Sequence, residues 1–299
     1  MHNALRLSSV LRRTLGSALR HDSLNLAQSA AYSAIVALFP ALIVSAATVA
    51  LLPDAAPLKG ALGSFFEQVL PSEALPLLSG YFVASPKSTQ SLQALLVATL
   101  VSLTGGSSVL ATLMEGLRRA EDLPNDCWTF WQRRGRALAL VPLSLAPMLL
   151  ATLLVVFGQL LMCWIAGSLP TAVQPTFLEV ALLARWTVAL IGVSAVTALI
   201  YHLGTPKPER WHRTLPGAAV ATTMWFVSTL AFGWYVTRFA NYGRIYGSLG
   251  AGIALLFWLY LIFFSVLCGA EFNAQFYRDF FQPALPPKPA SSTLPNALG

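Results

Sequence analysis

The sequence predicts an all-α polytopic membrane protein, a bundle of six transmembrane helices with short amphipathic interfacial helices. Three observations carry that prediction. The stretch from Gly247 to Gly269 contains no Asp, Glu, Lys, Arg or His, and at about 1.5 Å per residue it outruns the roughly 30 Å of hydrocarbon in a bilayer. The chain of 299 residues is 56% hydrophobic and only 10% charged, where a soluble domain carries about 25% charged residues, so most of it needs lipid as its solvent. Finally, the basic residues fall almost wholly in alternate connections between the apolar stretches.

Residues 1–25 form a basic amphipathic segment. Leu5, Val10, Leu11, Leu15 and Leu19 stand among Arg6, Arg12, Arg13 and Arg20, which suits a short helix lying on an anionic leaflet; a frayed soluble tail is the open alternative. No small-residue cleavage site followed by polar sequence accompanies it, so the first apolar run is expected to be a retained helix rather than a signal peptide. The membrane domain covers 26–275. Its first span, about 26–52, holds Gln28 and Tyr32 one turn apart on one face, and a polar face within a span is expected to look inward. Pro40 removes a backbone donor there and is expected to kink the helix. Residues 53–90 form a longer connection, in which Leu58, Leu62, Phe65, Phe66 and Val69 follow helical spacing; both a lid over the outer mouth and simple packing on the bundle fit that pattern.

The second span, about 92–114, is unusually polar, with Gln93, Thr99, Ser102, Thr104, Ser107, Ser108 and Thr112 around Gly105 and Gly106. Ser102 and Gly106 form a small-xxx-small pair suited to close helix packing, while the Gly105–Ser108 cluster also fits a loosened helix lining a cavity. A hydrophilic loop is expected over 115–136, with Trp128 and Trp131 as interface anchors. The third span, about 137–164, carries Pro142 and Pro147, and the fourth, about 178–203, carries Arg185. The fifth covers about 215–237. The sixth, about 247–272, follows Arg244 and Tyr246 and closes on Gly269, Ala270, Glu271 and Asn273. Residues 276–299 are Pro-rich, with too little apolar surface to pack, and are expected to be disordered.

Counting Lys and Arg by connection sets the orientation. Fourteen of the 19 fall at the two ends of the chain and in the connections after spans two and four, four fall on the opposite side, and Arg185 lies within a span. By the positive-inside rule both termini are cytoplasmic. The formal net charge of +7 thus reads as topology rather than as a nucleic-acid surface.

Charged groups at depth are the first places to look for function. Arg185 lies roughly 10 Å in from the outer side, and Glu179, six residues earlier, is turned away from it. Glu271 sits near the cytoplasmic end of the sixth span, where it and Glu115 are expected to meet Arg118 or Arg119 in an ion-pair cluster. Two readings of that cluster stand: a salt bridge that fixes helix packing, or a gate or proton-binding carboxylate. Soluble catalysis finds little support. His2, His21, His202 and His212 do not combine with Cys or carboxylates at metal-ligand spacing, no P-loop or nucleophile elbow occurs, and no cofactor is expected. The three cysteines, Cys127, Cys163 and Cys268, have no motif spacing; with Cys163 alone near the oxidising side, no internal disulfide is expected.

Over about 26–275 the chain resembles the YihY/BrkB family of bacterial inner-membrane proteins. The first span is similar to that family's Ala-Tyr-x-x-x-x-Ser-Leu-Phe-Pro segment through Ala31, Tyr32, Leu38, Phe39 and Pro40, with Ala37 where a Ser is usual. Spans four and five match through Arg185, Tyr201, Pro206, Trp211, Pro216, Gly217, Ala218, Trp225 and Tyr235. The sixth matches through Tyr242, Tyr246 to Gly250, Trp258 to Tyr260, Gly269 to Glu271 and Asn273. The resemblance implies a six-helix integral protein of the bacterial inner membrane. Its members have been labelled virulence or serum-resistance factors, transporters, and ribonuclease BN. The last label conflicts with the residues, which assemble neither metal ligands nor general acid/base groups.

The expected function is movement or accommodation of a solute or lipid along a polar interior lined by spans one, two and six. The path candidates are Arg185 at the outer mouth, Glu271 and Glu115 at the inner, and Tyr32, Gln28, Ser102, Gly105, Gly106, Tyr246 and Asn273 between. The expected partners are membrane lipids and a small solute or lipid substrate, without nucleic acid. The alternative is a structural scaffold of the cell envelope in which the same small and polar residues only pack helices.

Overall fold

A computed structural model of the chain describes residues 2–50, 89–146, 162, 165, 170, 174–206, 210–239 and 248–281. Among them there is helix and no strand. Helix α1 is His2–Arg20 and α2 is Ser23–Ala50. Helix α3 is Thr89–Ala120, followed by a single 3-10 turn at Asn125–Cys127, and residues 130–146 form α4. Helices α5, α6 and α7 are Gln174–Gly204, Trp211–Phe239 and Ser248–Phe281. Five of these, α2, α3, α5, α6 and α7, are long and apolar enough to cross a membrane. The expected third span begins in α4, and most of its remainder lies outside the described residues, as do the expected lid helix at 58–69, Tyr246 and the Pro-rich tail beyond 281.

Helix α7 is the hub: it packs against α1, α2, α3 and α6, while α2 lies along α3 and α5 along α6. Two apolar cores follow. One joins Ala27 and Ala30 of α2 to Leu110, Leu113 and Met114 of α3, Ala137 and Leu140 of α4 and Leu267 of α7. The other joins Leu117, Ala198, Tyr201, Ala218, Ala221, Ala270 and Ala274. The starts of α2, α4 and α6 and the ends of α3, α5 and α7 gather at one end of the bundle. The described members of the Arg-rich connections sit there, so it is called the basic end.

The small residues of α2 decide which of its faces is buried. Ala27, Ala30, Ala31 and Ala37 are buried, a helical stripe that lets the α2 backbone approach α3 closely. A Cβ on Gly105 would sit 2.6 Å from the Ala37 Cβ and 3.2 Å from its Cα, so Gly105 is the contact point. Gly106, the expected packing residue, meets only Val141 at 3.7 Å. The helix runs unbroken through Gly105–Ser108, which removes the loosened-helix reading. Its hydroxyls turn back on their own helix: Ser107 and Ser108 each donate to the Thr104 carbonyl at 2.9 Å and Thr112 to that of Ser108 at 2.9 Å. Such back-bonding satisfies a hydroxyl proton without any partner helix, and Arg134 of α4 adds a bond to the Ser108 hydroxyl at 3.0 Å. Helix α2 likewise runs through Pro40.

Helix α1 is no frayed tail. Val10, Thr14, Ser17 and Ala18 are buried at helical spacing, on the face that α1 turns to the bundle. The expected loop over 115–136 is also corrected: Glu115, Arg118 and Arg119 lie on the last two turns of α3, and α4 starts at 130. Trp131 is strongly exposed, as an interface anchor requires, but Trp128 is half-buried beneath Arg136, 5.1 Å from the ring centroid.

Candidate functional site

Two tight turns build the site. Helix α1 ends as the His21 and Asp22 amides donate to the carbonyls of Ser17 (2.9 Å) and Leu19 (3.3 Å), and α2 begins at once, with the Leu26 amide donating to the Asp22 carbonyl at 3.1 Å. Helix α3 also ends on an aspartate, the amide of Asp122 donating to the Arg119 carbonyl at 3.0 Å, and the Leu123 amide adds a wider bond to the Arg118 carbonyl at 3.1 Å. A helix end of this kind usually turns on a left-handed glycine; here aspartates take that conformation, Asp22 at φ 63° and Asp122 at φ 51°. Each thereby presents a carboxylate to the basic end.

The polar side chains there form two joined groups. In the first, Glu271 of α7 is 1% exposed and its Oε1 lies 2.7 Å from His21 Nδ1. The other imidazole nitrogen, Nε2, is 3.2 Å from Asp122 Oδ1, and Asp122 Oδ2 is 2.6 Å from Arg278. Ser17 Oγ lies 3.5 Å from His21 Nδ1 and accepts from Gln275 at 3.3 Å. Glu271 Oε2 is buried without a hydrogen-bond partner. In the second group three guanidiniums converge on one carboxylate. Arg118 holds Glu115 through two bonds (3.0 and 2.7 Å), Arg119 reaches the same carboxylate at 3.0 Å, and Arg133 lies 3.6 Å away. Arg119 also donates to the His21 carbonyl at 3.3 Å and lies 3.8 Å from Asp22, which ties the two groups together. Arg118 donates to the Leu123 carbonyl as well.

Burial alone would raise the Asp122 carboxyl, but the hydrogen bond and charge of Arg278, with a smaller pull from His21, outweigh it and hold that carboxyl below its ordinary value. Opening onto both groups is a cavity of about 580 Å³ lined by Arg20, His21, Glu115, Arg118, Arg119, Asn125 and Arg133. A second cleft, about 600 Å³, lies between α6 and α7 and is apolar, with Phe232, Ile253, Phe257 and Leu261 in its walls.

The expected site residues separate. Glu271 and Glu115 do come to one end, but Glu271 pairs with His21, and Glu115 alone takes Arg118 and Arg119. The His21 imidazole on the packed α1–α2 turn is the nearer partner. Gln28 and Tyr32 are exposed, Tyr32 by 66%; they do not face the interior, because the alanine stripe occupies that face of α2. Ser102 is half-buried, and Gly105 and Gly106 belong to helix packing. The side chain of Asn273 accepts from the Gly217 amide at 3.2 Å, pinning α6 to α7. Beside that bond, a Cβ on Gly269 would sit 2.5 Å from the Gly217 carbonyl oxygen and 2.6 Å from both the Ala221 Cβ and the Tyr201 hydroxyl. Arg185 is half-buried on α5 and engaged in an interaction there, far along the helix from Tyr201, whose hydroxyl donates to the Val266 carbonyl near the basic end.

His21, Asp22, Asp122, Arg133 and Arg278 are the residues that sequence reasoning missed. Their one visible signal was position, since each lies just outside an apolar run. Cys127 and Cys268 are free thiols, and no group of three or more His, Cys, Asp and Glu that could hold a metal occurs among the described residues.

Comparison with known proteins places the chain in a family. The family model described as Virulence factor BrkB matches residues 14–292. A Bacillus subtilis (strain 168) protein named as ribonuclease-like, YfkH, is 27% identical over 261 residues, which covers 86% of this chain and 91% of that protein. A UPF0761 membrane protein of Xanthomonas campestris pv. campestris (strain B100) is 37% identical over 106 residues, 34% of this chain and a quarter (25%) of that longer protein. A UPF0761 membrane protein of Tolumonas auensis is 38% identical over 76 residues, 25% of each chain. No solved structure matches. With the family model spanning nearly the whole of an all-helical membrane protein, the chain belongs to the virulence factor BrkB family.

Proposed function

We propose that this multi-pass protein of the bacterial inner membrane admits an anionic solute or lipid headgroup at its basic end, which faces the cytoplasm, as the first step of moving it. The observation that carries this reading is the cavity of about 580 Å³ at that end, in which Arg20, Arg118, Arg119 and Arg133 face the single carboxylate of Glu115; just behind it Glu271, 1% exposed, bonds His21 through one oxygen and leaves the other unpartnered. A buried carboxylate with an unfilled acceptor is costly, and a protein that only needed packing there is served better by an apolar residue. Arg185 lies on α5 far along the helix from this end, and the exposed Gln28 and Tyr32 are left out of the path.

The test is flux in proteoliposomes, with radiolabelled phosphate as the soluble probe and a fluorescent phosphatidylglycerol as the lipid probe. Wild-type protein moves one of them, and Glu271→Gln and Arg185→Ala, matched for folded protein, each slow it. Equal flux in wild type, variants and empty vesicles sinks the reading.

A scaffold without a conducted substrate is the second reading, favoured by the tight Gly105–Ala37 and Gly217–Gly269 contacts. A ribonuclease, the activity in the name of the Bacillus relative, is poorly supported: both nitrogens of His21 are occupied by carboxylates, leaving none to act on a substrate.

A further inference from the structure

We infer that the cavity at the basic end is a binding site for a phosphate group carried on a larger body. The inference deepens the proposed function by naming the class of ligand, and it rests on that reading only for the idea that what binds is then moved. The lining supplies four guanidiniums, those of Arg20, Arg118, Arg119 and Arg133, against the single carboxylate of Glu115. Glu115 therefore serves less to neutralise than to position. It grips Arg118 through two bonds and Arg119 through one, and the carbonyls of Leu123 and His21 hold the same two side chains from the other side.

Two planar forks are thus fixed before any ligand arrives, and the entropy of ordering them is already spent. Arg133, 3.6 Å from Glu115, and Arg20, which makes no ion pair among the described residues, bring positive charge that the cavity leaves unbalanced. A tetrahedral phosphate, with several oxygens to accept from converging guanidiniums, fits that surplus better than a planar carboxylate with two.

Size narrows the class further. A cavity of about 580 Å³ falls within the range of small-molecule sites, roughly 300–1,000 Å³, and is far larger than a bare phosphate ion needs. It lies where α2 and α3 meet the edge of the apolar zone, since the apolar stretches run from Ser23 and up to Ala120. Both a lipid headgroup and a soluble phosphate ester reach that level.

The full-length protein in detergent is titrated with pyrophosphate and, separately, with a short-chain phosphatidic acid, and binding is read from the shift in thermal unfolding. The Arg20→Ala/Arg133→Ala double variant removes cavity charge and spares the two clamped forks. Arg12→Ala/Arg13→Ala removes the same charge from the exposed surface of α1 and serves as the control. At least one ligand binds wild type and the control alike and weakens by about tenfold or more, the loss of one charge-assisted contact, in the cavity variant. Response to pyrophosphate alone assigns a soluble ester, response to phosphatidic acid alone assigns a lipid, and either supports the site. No binding of either ligand, or equal weakening in both double variants, overturns it. Because binding is read without vesicles, absent flux with intact binding removes the transport reading and leaves this one standing.

Discussion

The last turns of α7 carry two seams on opposite faces of one helix, and they are held by different physics. Gly269 and Asn273, one turn apart, face α6, where Gly217 lets the two backbones touch and a single side-chain bond locks the register. Glu271 and Gln275, also one turn apart, face α1, where they meet His21 and Ser17. The first seam works by leaving side chains out. The second works by burying a carboxyl group and supplying one partner for it. In lipid no hydrophobic gain separates helix–helix from helix–lipid contact, so close packing and satisfied polar groups are what remain to hold a bundle.

The polar seam is the more brittle, because removing one partner strands the other. His21→Ala leaves both oxygens of a buried Glu271 without a partner and is expected to lower stability by about 3–5 kcal/mol, read as the midpoint of unfolding in detergent. The His21→Ala/Glu271→Ala double variant should recover part of that loss. If His21→Ala costs under about 1 kcal/mol, a figure within the range of an ordinary neutral hydrogen bond, the carboxylate is hydrated and the contrast between the seams disappears.

The glycine seam is next. Gly269→Ala places a methyl group against the Gly217 carbonyl oxygen, Ala221 and Tyr201, none of which can swing away, and is expected to cost about 1–3 kcal/mol. Gly106→Ala is the internal control. Its new methyl meets Val141 at an ordinary 3.7 Å, and the change should be neutral or stabilise the helix by up to about 1 kcal/mol. Similar losses at both glycines would show that close approach is not what the α6–α7 seam depends on.

The two seams also differ in how far the sequence reveals them. The apolar runs were legible, since a run of bilayer length reports its own environment, and α2, α3, α5, α6 and α7 overlap the expected stretches, although α3 runs six residues and α7 nine residues past the expected ends. Glu271 and Glu115 stood out as charges at span edges. Which partner each one meets was hidden, because His21 and Glu271 are separated by 250 positions and the pairing depends on how α1 packs. Gln28 and Tyr32 misled for a related reason: a polar stripe predicts an inward face only when no competing stripe exists, and the alanines of α2 pack closer. The left-handed aspartates leave no pattern, since glycine is the residue expected in that conformation.

Acid sharpens the polar side of the comparison. The Asp122 carboxyl lies below its ordinary value, chiefly through Arg278 working against its own desolvation. A depressed carboxylate adds stability that is complete above its unfolded value and is lost as pH falls through the folded one, so the effect lies below about pH 4. Asp122→Asn should flatten that part of an acid unfolding curve. Asp122 is more than half exposed, so added salt should shrink the difference. A salt-independent difference would mean that the carboxylate is more enclosed than its contacts imply.

The smallest effect separates the two aspartates from each other. Both hold a left-handed turn, which costs a non-glycine residue about 1–2 kcal/mol, although aspartate tolerates it better than most. Asp22 receives less in return: its carboxylate accepts from the Asn25 side chain at 2.6 Å on an exposed surface, while its Arg119 contact is 3.8 Å long and it is 53% exposed, so its ion pair is worth well under about 1 kcal/mol. Asp122 has Arg278 at 2.6 Å and His21 at 3.2 Å, and through His21 it steadies the partner of Glu271. Glycine supplies the left-handed conformation without strain but no carboxylate. Asp22→Gly should therefore be near neutral, the relief of the left-handed strain offset by the lost Asn25 bond, and Asp122→Gly should be destabilising. If the two substitutions behave alike, backbone geometry alone sets these turns, and the chain of contacts from Arg278 through Asp122 and His21 to Glu271 contributes nothing to holding α1 on α7.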